Sequence, residues 1–234
     1  MSFERLLEIT VESLDTALAA ERGGADRIEL CAELAHGGVT PPVATLRKVH
    51  EELEIPVFAI IRPRAGNFVY TDTEFAAMLR FVATARDLSL DGVVLGVLSP
   101  DNTVDIERTR ELVEAARPLE VTFHRAFDHT PDLTRALEDV IQTGATRILT
   151  SGGASGAPEG AAALRKLVAA AGESITVMPG AGLHAANISQ IAAETHAREF
   201  HSGLGTVLPY GSNNLAKFES EIRAMKRALH AAAH

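Results

Sequence analysis

Short runs of β-branched and aliphatic residues alternate with longer amphipathic stretches along the whole chain. Each run is only a few residues long and is bounded by polar or turn-forming residues, which is typical of buried parallel strands. The runs predict eight strands: Leu6–Thr10, Arg27–Cys31, Val57–Ile61, Gly92–Val97, Val121–His124, Arg147–Ser151, Thr176–Met178 and Glu199–Ser202.

The amphipathic stretches between the strands begin at residues that favour helix starts. The predicted starts are Ser13, Thr40, Asp72, Asp105, Asp132, Pro158 and Asn187, and Ser220–Ala232 is the eighth helix. Regular strand–helix alternation places the strands parallel with the helices outside, so the sequence predicts an α/β fold, a single (β/α)8 TIM-type barrel over residues 1–234. An open doubly wound sheet is the alternative, but the turn after the first strand lacks a glycine-rich dinucleotide motif.

In a parallel barrel the carboxyl ends of the strands form one mouth, where catalytic groups lie. Polar or glycine residues end or follow most of the predicted strands. The catalytic candidates are Glu8, Glu29, His124 and Asp128, and the candidates for binding an anion are Arg62, Arg64, Arg125, Ser151, Gly180, Gly182 and His201. Because side chains alternate along a strand, Cys31 is expected to share the face of Glu29.

These residue types fit a small anionic ligand. Arginine offers paired donors to a carboxylate or phosphate, and glycine loops offer backbone N–H groups. Glu8 or Glu29 is the predicted general base, and His124 the acid or electrophile. The alternative is that the strand-end charges only neutralise one another inside the fold. The same strand ends carry donor types of divalent-metal sites, but no HxH or HExxH spacing selects a ligand set.

Composition excludes several classes of function. The 234-residue chain has 31 acidic and 22 basic residues and a formal charge of -9, which disfavours nucleic acid as a partner. The sequence contains no run of eighteen apolar residues and does not start like a secretion signal, so we expect no membrane partner and a cytoplasmic location. Cys31 is the only cysteine, which excludes an intramolecular disulfide and a cysteine-only metal site within one chain.

Seven longer motifs lie at or beside the predicted strands. They are Gly24-Ala25-Asp26-Arg27-Ile28-Glu29-Leu30-Cys31, Gly37-Gly38-Val39-Thr40-Pro41, Ile60-Ile61-Arg62-Pro63-Arg64, Val121-Thr122-Phe123-His124-Arg125-Ala126-Phe127-Asp128, Leu149-Thr150-Ser151-Gly152, Met178-Pro179-Gly180-Ala181-Gly182 and Glu199-Phe200-His201. Together they strongly resemble the motifs of the CutC family, long described as copper homeostasis proteins. The resemblance runs from the first predicted strand to the last.

The resemblance implies a cytoplasmic (β/α)8 barrel that forms a homo-oligomer, with a dimer favoured, and that binds copper through cysteines. Some family members have a cysteine where this chain has Thr10 or Ser202, so the metal candidate here is Cys31 alone. Asn67 stands where the family commonly has Asp. Copper(I) prefers at least two soft sulfur ligands, so one cysteine argues against a high-affinity copper site within one chain. Whether the protein is an enzyme stays open at this point.

Overall fold

The computed structural model describes residues 5–209 and 211–231. Its strands are β1 (Leu6–Val11), β2 (Arg27–Leu30), β3 (Val57–Ile60), β4 (Gly92–Leu95), β5 (Glu120–Phe123), β6 (Arg147–Thr150), β7 (Thr176–Pro179) and β8 (Glu199–Ser202). Its α-helices are α1 (Leu14–Gly23), α2 (Val43–Glu52), α3 (Asp72–Asp87), α4 (Ile106–Ala116), α5 (Leu133–Thr143), α6 (Ala161–Ala171), α7 (Ile188–Thr195) and α8 (Leu215–Ala231).

The strands form one parallel sheet in the hydrogen-bonded order β7-β6-β5-β4-β3-β2-β1-β8. The two end strands of this order, β7 and β8, pack side by side, so the sheet curls into a nearly closed barrel with the helices around it. The predicted (β/α)8 barrel is therefore confirmed, and every strand lies within two residues of its predicted bounds. Parallel pairing throughout places all the strand carboxyl ends at one mouth.

Side-chain caps mark the starts of several helices. Ser13, Asp105 and Asp132 each accept a backbone N–H bond at the start of their helix, as predicted. The α3 helix is capped by Thr71 rather than by Asp72, because Thr71 forms a reciprocal capping box with Glu74.

The last helix is longer than its predicted form. It begins at Leu215, before the predicted start at Ser220, and the predicted last residue, Ala232, lies outside the described residues. The ends of the predicted 1–234 domain lie outside them too. Among the helices in the described part of the chain, none has the length and hydrophobicity needed to cross a membrane.

The two faces of the strands have different chemistry. Leu7 and Ile9 of β1 join the large core between the barrel and the helices, whereas Glu8 and Thr10, which alternate with them, are buried polar residues. A smaller apolar cluster of Cys31, Phe58, Ile60 and Val94, with Leu34 packed against it, is separate from the large core. As the alternation predicts, polar side chains from the strands fill part of the barrel interior.

Candidate functional site

A cavity of about 280 Å³ opens at the carboxyl ends of the strands. Six predicted site residues line it: Glu29, Cys31, Arg62, His124, Arg125 and His201. The other lining residues are Thr10, Gly37, Gly38, Ile60, Gly66, Phe68, His129 and Leu149. The mouth therefore combines charged groups, glycine backbone and an apolar wall, which is the composition of a small-molecule site.

Arg62 brings a buried positive charge to this cavity. Its side chain follows β3, and one guanidinium nitrogen donates to the carbonyls of Gly37 and Gly38, each at 3.0 Å. The other terminal nitrogen donates to the carbonyl of Gly66 at 2.9 Å, and Phe68 packs with its ring centre 4.9 Å from Cζ. No carboxylate of the described residues forms an ion pair with Arg62. Its charge is held by neutral carbonyl dipoles, so an anion in the adjoining cavity would be attracted to it.

His124 is held as a neutral hydrogen-bond donor. Its Nδ1 accepts the backbone N–H of Ala126 at 3.2 Å, which leaves the ring proton on Nε2. That Nε2 is buried and has no partner among the described residues. Burial, helped by the charge of Arg62, lowers the pKa of His124 to about 3, so the ring is neutral near pH 7.

The backbone also fixes where the His124 ring sits. Gly96, which follows β4, lies directly against the ring, and a Cβ at that position would come within 2.6 Å of Nδ1. The ring of Phe68 packs against the imidazole at a centroid distance of 4.9 Å. The ring therefore has a fixed position beside the cavity, with an Nε2–H that has no acceptor among the described residues. An N–H of this kind can stabilise negative charge that develops on an oxygen brought next to it.

Four side chains at the junction of β1, β2 and β8 form a continuous hydrogen-bonded chain. The Thr10 hydroxyl lies 3.0 Å from Glu29 Oε2 and 2.8 Å from His201 Nε2. His201 Nδ1 lies 2.7 Å from Glu8 Oε1. Glu29 Oε1 makes no hydrogen bond to the described part of the chain, so the oxygen on the cavity end of this group is available to a ligand.

The protonation of this group follows from burial and pairing. Burial would raise the pKa of Glu8, but the charge of Arg27 and the bond to His201 outweigh it and hold that pKa well below the usual range. Burial raises the pKa of Glu29, although the charge of His201 opposes this. Burial alone would lower the pKa of His201, yet the bond to Glu8 and the charge of Glu29 raise it. Glu8 is thus a fixed carboxylate, whereas Glu29 and His201 both bind protons more tightly than usual.

Below the cavity, Glu8, Arg27, Arg147 and Glu199 form a buried network that we call the ionic layer. Arg27 bridges the carboxylates of Glu8 and Glu199, and Arg147 donates to the same Glu199. Arg147 also reaches the half-exposed Glu120 at 2.9 Å. Each buried charge in this layer has an opposite charge within hydrogen-bonding distance, so the layer is a structural floor that holds Glu8 ionised.

The structure does not bring the remaining predicted residues to the cavity. Arg64 pairs with Glu74 and with backbone carbonyls. Gly180 and Gly182 are needed for the backbone conformation after β7. A Cβ at Gly180 would collide with Leu149, and Gly182 has a φ of 76°, which favours glycine.

Asp128 and Ser151 form a second network beside the cavity. Asp128 accepts the N–H groups of Ser151 and Gly153 and the Thr150 hydroxyl, and it pairs with Arg125. These contacts saturate the carboxylate and organise the loop after β6. Only Arg125 of this network lines the cavity, so Asp128 and Ser151 lie behind Arg125.

Sequence reasoning missed four residues that shape the site: Thr10, Arg27, Phe68 and His129. Thr10 and Arg27 had a usable signal, because strand alternation puts them on the faces of Glu8 and Glu29. Phe68 lies in a loop and His129 ends a short 3-10 helix (Arg125–His129), and their rings meet at a centroid distance of 5.3 Å only after the barrel forms. No periodicity in the sequence points to that contact.

Glu8, Glu29 and His201 place one potential metal donor each within 4.8 Å of one another. The contacts of these donors argue against a metal. Both oxygens of Glu8 are already bonded, one to Arg27 and one to His201, and the Arg27 guanidinium would repel a cation there. This group is therefore best described as a hydrogen-bonded acid–base chain.

Copper(I) also fits the donors of one chain poorly. The Cys31 thiol lines the cavity, but burial raises its pKa, and the charge of Glu29 raises it further, so the thiolate that binds copper is disfavoured. The sulfur of Met178 already accepts a hydrogen bond from Arg27. Copper(I) prefers at least two soft sulfur ligands, and this cavity presents one.

The sequence model of the CutC family matches residues 5–206 of this chain. A CutC family protein from Chromobacterium violaceum is 44% identical over 97% of this chain and 98% of its own length. One from Xanthomonas campestris pv. campestris is 50% identical over 84% of this chain and 82% of its length. The crystal structure of CutC from Streptococcus agalactiae, which bears the name of a copper homeostasis protein, has a TM-score of 0.81 at 33% identity, covering 85% of this chain and 98% of that one.

Proposed function

The chain belongs to the CutC family, and from its cavity we propose that it binds a small anionic metabolite, a carboxylate or phosphate, and transfers a proton to or from it. The observation that carries the proposal is a pairing defect at the mouth. Arg62 is buried without a carboxylate partner among the described residues, and His124 Nε2 is buried without an acceptor. Buried polar groups left unpaired by the protein are supporting evidence for a ligand that pairs them.

Each cavity residue has a role that follows from its contacts. The Arg62 charge attracts the anionic group, and Arg125, at the rim, adds a second guanidinium. The neutral His124 donates its Nε2–H to a ligand oxygen and stabilises negative charge that develops there. Glu29 presents Oε1 as the proton acceptor or donor, because burial raises its pKa and so favours the protonated form more than in water.

Anion binding is tested by calorimetric titration with inorganic phosphate, sulfate and acetate. We expect the wild type to bind at least one of these at millimolar concentration. Arg62→Lys keeps the charge but loses the planar donors, so binding should weaken about tenfold.

Arg64→Lys is the matched variant, since Arg64 also follows β3, two residues after Arg62, but pairs with Glu74 outside the cavity. Its affinity should equal that of the wild type. If no anion binds the wild type, or if Arg62→Lys binds equally well, Arg62 is only a structural residue that holds its neighbouring loops.

Copper handling is the second candidate function, and two observations favour it. The Streptococcus agalactiae relative bears the name of a copper homeostasis protein, and Cys31 lies in the cavity wall. One thiol per chain supplies one soft ligand, so copper would be bound as cargo with a second sulfur from outside the chain. Copper handling predicts that metal binding depends on Cys31, whereas the anion proposal gives Cys31 no role in binding.

A cytoplasmic location and a homo-oligomeric state, with a dimer favoured, complete the proposal. The single cysteine is consistent with a reducing compartment. Sedimentation of the purified chain gives the oligomeric state directly, and a monomer at micromolar concentration would contradict that part of the proposal.

A further inference from the structure

We propose that the Thr10 hydroxyl relays a proton between Glu29, at the cavity, and His201, which Glu8 anchors from below. This inference rests on the proposed proton transfer at Glu29. It assigns the route by which Glu29 regains or loses its proton between transfers to the ligand. Thr10 does not need to touch a ligand for this, so it is a positioning and relay residue.

The geometry of Thr10 carries the inference. One hydroxyl oxygen lies 3.0 Å from Glu29 Oε2 and 2.8 Å from His201 Nε2, whereas the direct distance between those two atoms is 3.6 Å. The direct path is longer than a hydrogen bond, and the path through Thr10 has two good ones. A hydroxyl both donates and accepts, so it can link the two groups in either direction.

The anchoring at Glu8 fixes the orientation of the relay. Glu8 is held as a carboxylate by Arg27, so its Oε1 accepts a hydrogen bond from the Nδ1–H of His201 at 2.7 Å. The other ring nitrogen, Nε2, is thereby aimed at Thr10 and is free to gain or lose a proton. The hydrogen bond from Nδ1 to the Glu8 carboxylate, which the ionic layer holds in place, fixes this orientation of the imidazole.

The transfer balances without any co-reactant. In the first state Glu29 is a neutral acid that donates to the Thr10 oxygen, and Thr10 donates to an unprotonated Nε2 of His201. The O–H bond of Glu29 breaks as a new one forms on Thr10, while the original Thr10 proton forms an N–H bond on Nε2. The second state has a Glu29 carboxylate and a His201 imidazolium, and the total charge is unchanged. Glu29 Oε1 can then take a proton from a bound ligand.

Charged residues face His201 from β1 and β2, and an uncharged residue faces it from the β7 side. Glu8 faces it from β1, and Glu29 and Arg27 affect it from β2. On the β7 side it packs against Gly180, which carries no charge. Burial opposes the charged imidazole and the two carboxylates support it, which raises the pKa of His201. Two groups that both bind protons more tightly than usual are suitable partners for sharing one.

The test is a double-mutant cycle read on His201 by NMR, with no ligand present. The protein has nine histidines, so ring-15N-labelled His201 is assigned by the loss of its signal in His201→Gln. We expect Glu29→Gln to lower the protonation constant of His201 about tenfold. In a Thr10→Val background the same change should have an effect at least about threefold smaller, because only the through-space part of the coupling remains. Thr10→Ser keeps the hydroxyl and should restore the full effect.

Equal effects of Glu29→Gln on the protonation of His201 in the wild-type, Thr10→Val and Thr10→Ser backgrounds would contradict the relay. If Thr10→Val does not fold, a second measurement tests the relay without it. In Glu29→Gln the amide donates to Thr10, so neutral His201 should carry its proton on Nδ1; a neutral ring protonated on Nε2 would also overturn it. Since no anion is added, a failed phosphate titration refutes the proposed function without altering this result.

Discussion

The ionic layer and the cavity above it are both buried and charged, but they differ in how completely they are paired. In the layer, Arg27 and Arg147 contact Glu8 and Glu199 directly. At the mouth, the guanidinium of Arg62 donates hydrogen bonds only to backbone carbonyls of the described residues, and His124 Nε2 has no acceptor among them. Paired buried charges fix a structure, whereas unpaired ones are retained at a cost to stability that a bound ligand can offset. The two regions should therefore respond differently to substitution.

The largest effect is expected in the ionic layer. Arg27→Met fills a similar volume but leaves Glu8 and Glu199 without their shared cation, which should lower the free energy of unfolding by about 3 to 5 kcal/mol. Urea denaturation measures this. Arg22→Met is the control, because Arg22 pairs with Glu219 at the surface, and its effect should be too small to resolve. Similar losses for both variants would mean that the layer is not a stabilising floor.

A pH effect should distinguish the mouth from the layer. The pKa of His124 is about 3 in the folded protein and 6.5 ordinarily, so between these values the unfolded chain binds a proton that the folded chain does not. Stability due to a neutral His124 is therefore lost as pH falls from 6.5 towards 3. Between pH 7 and pH 5 the wild type should lose about 2 kcal/mol more unfolding free energy than His124→Asn.

Urea denaturation at both pH values checks this His124 effect. His230→Asn, on the exposed end of α8, serves as the control and should follow the wild type. If His124→Asn loses as much stability as the wild type, His124 does not resist protonation in the folded protein.

A smaller effect is expected at Glu29. Where it is ionised, the Glu29 carboxylate repels an anion in the cavity, so Glu29→Gln should tighten phosphate binding about fivefold at the alkaline end of a pH series. The gain should shrink at lower pH, where the wild-type side chain is neutral. Glu52→Gln, an equal charge change on the exposed end of α2, should leave binding unchanged in calorimetry. An equal gain at both sites would assign the effect to net charge.

The smallest effect is expected from Cys31→Ser. The metal-free protein should bind copper(I) in each cavity no better than a single thiol does, because the cavity offers one sulfur and burial raises the pKa of that thiol. Phosphate binding should be retained in the variant. Competition against a strong copper(I) chelator measures the metal affinity. Tight stoichiometric binding that Cys31→Ser abolishes would favour copper handling over the anion proposal.

Part of the candidate site could be predicted because it depends on strand alternation. Glu29, His124 and His201 stand at the ends of recognisable strands, and a parallel barrel brings such ends together whatever the details of packing. Arg64 and Asp128 show the limit of this reasoning. Arg64 follows β3 and Asp128 follows β5, so both come after the carboxyl end of a strand. Contacts with Glu74 and with the loop after β6 nevertheless hold them away from the cavity. Sequence spacing cannot say which of several nearby partners a long side chain will choose.

The sequence by itself determined the barrel, because hydrophobic periodicity and helix caps are local properties that each element carries alone. It also determined which residue types reach the mouth. Only the tertiary structure decided their pairing: that Glu8 bonds to Arg27 beneath the cavity, that Arg62 meets no carboxylate of the described residues, and that Thr10 bridges Glu29 and His201. Differences of a few tenths of an ångström in the distance between two groups decide whether they pair. Those distances join distant parts of the chain, so they are fixed only when the whole barrel packs.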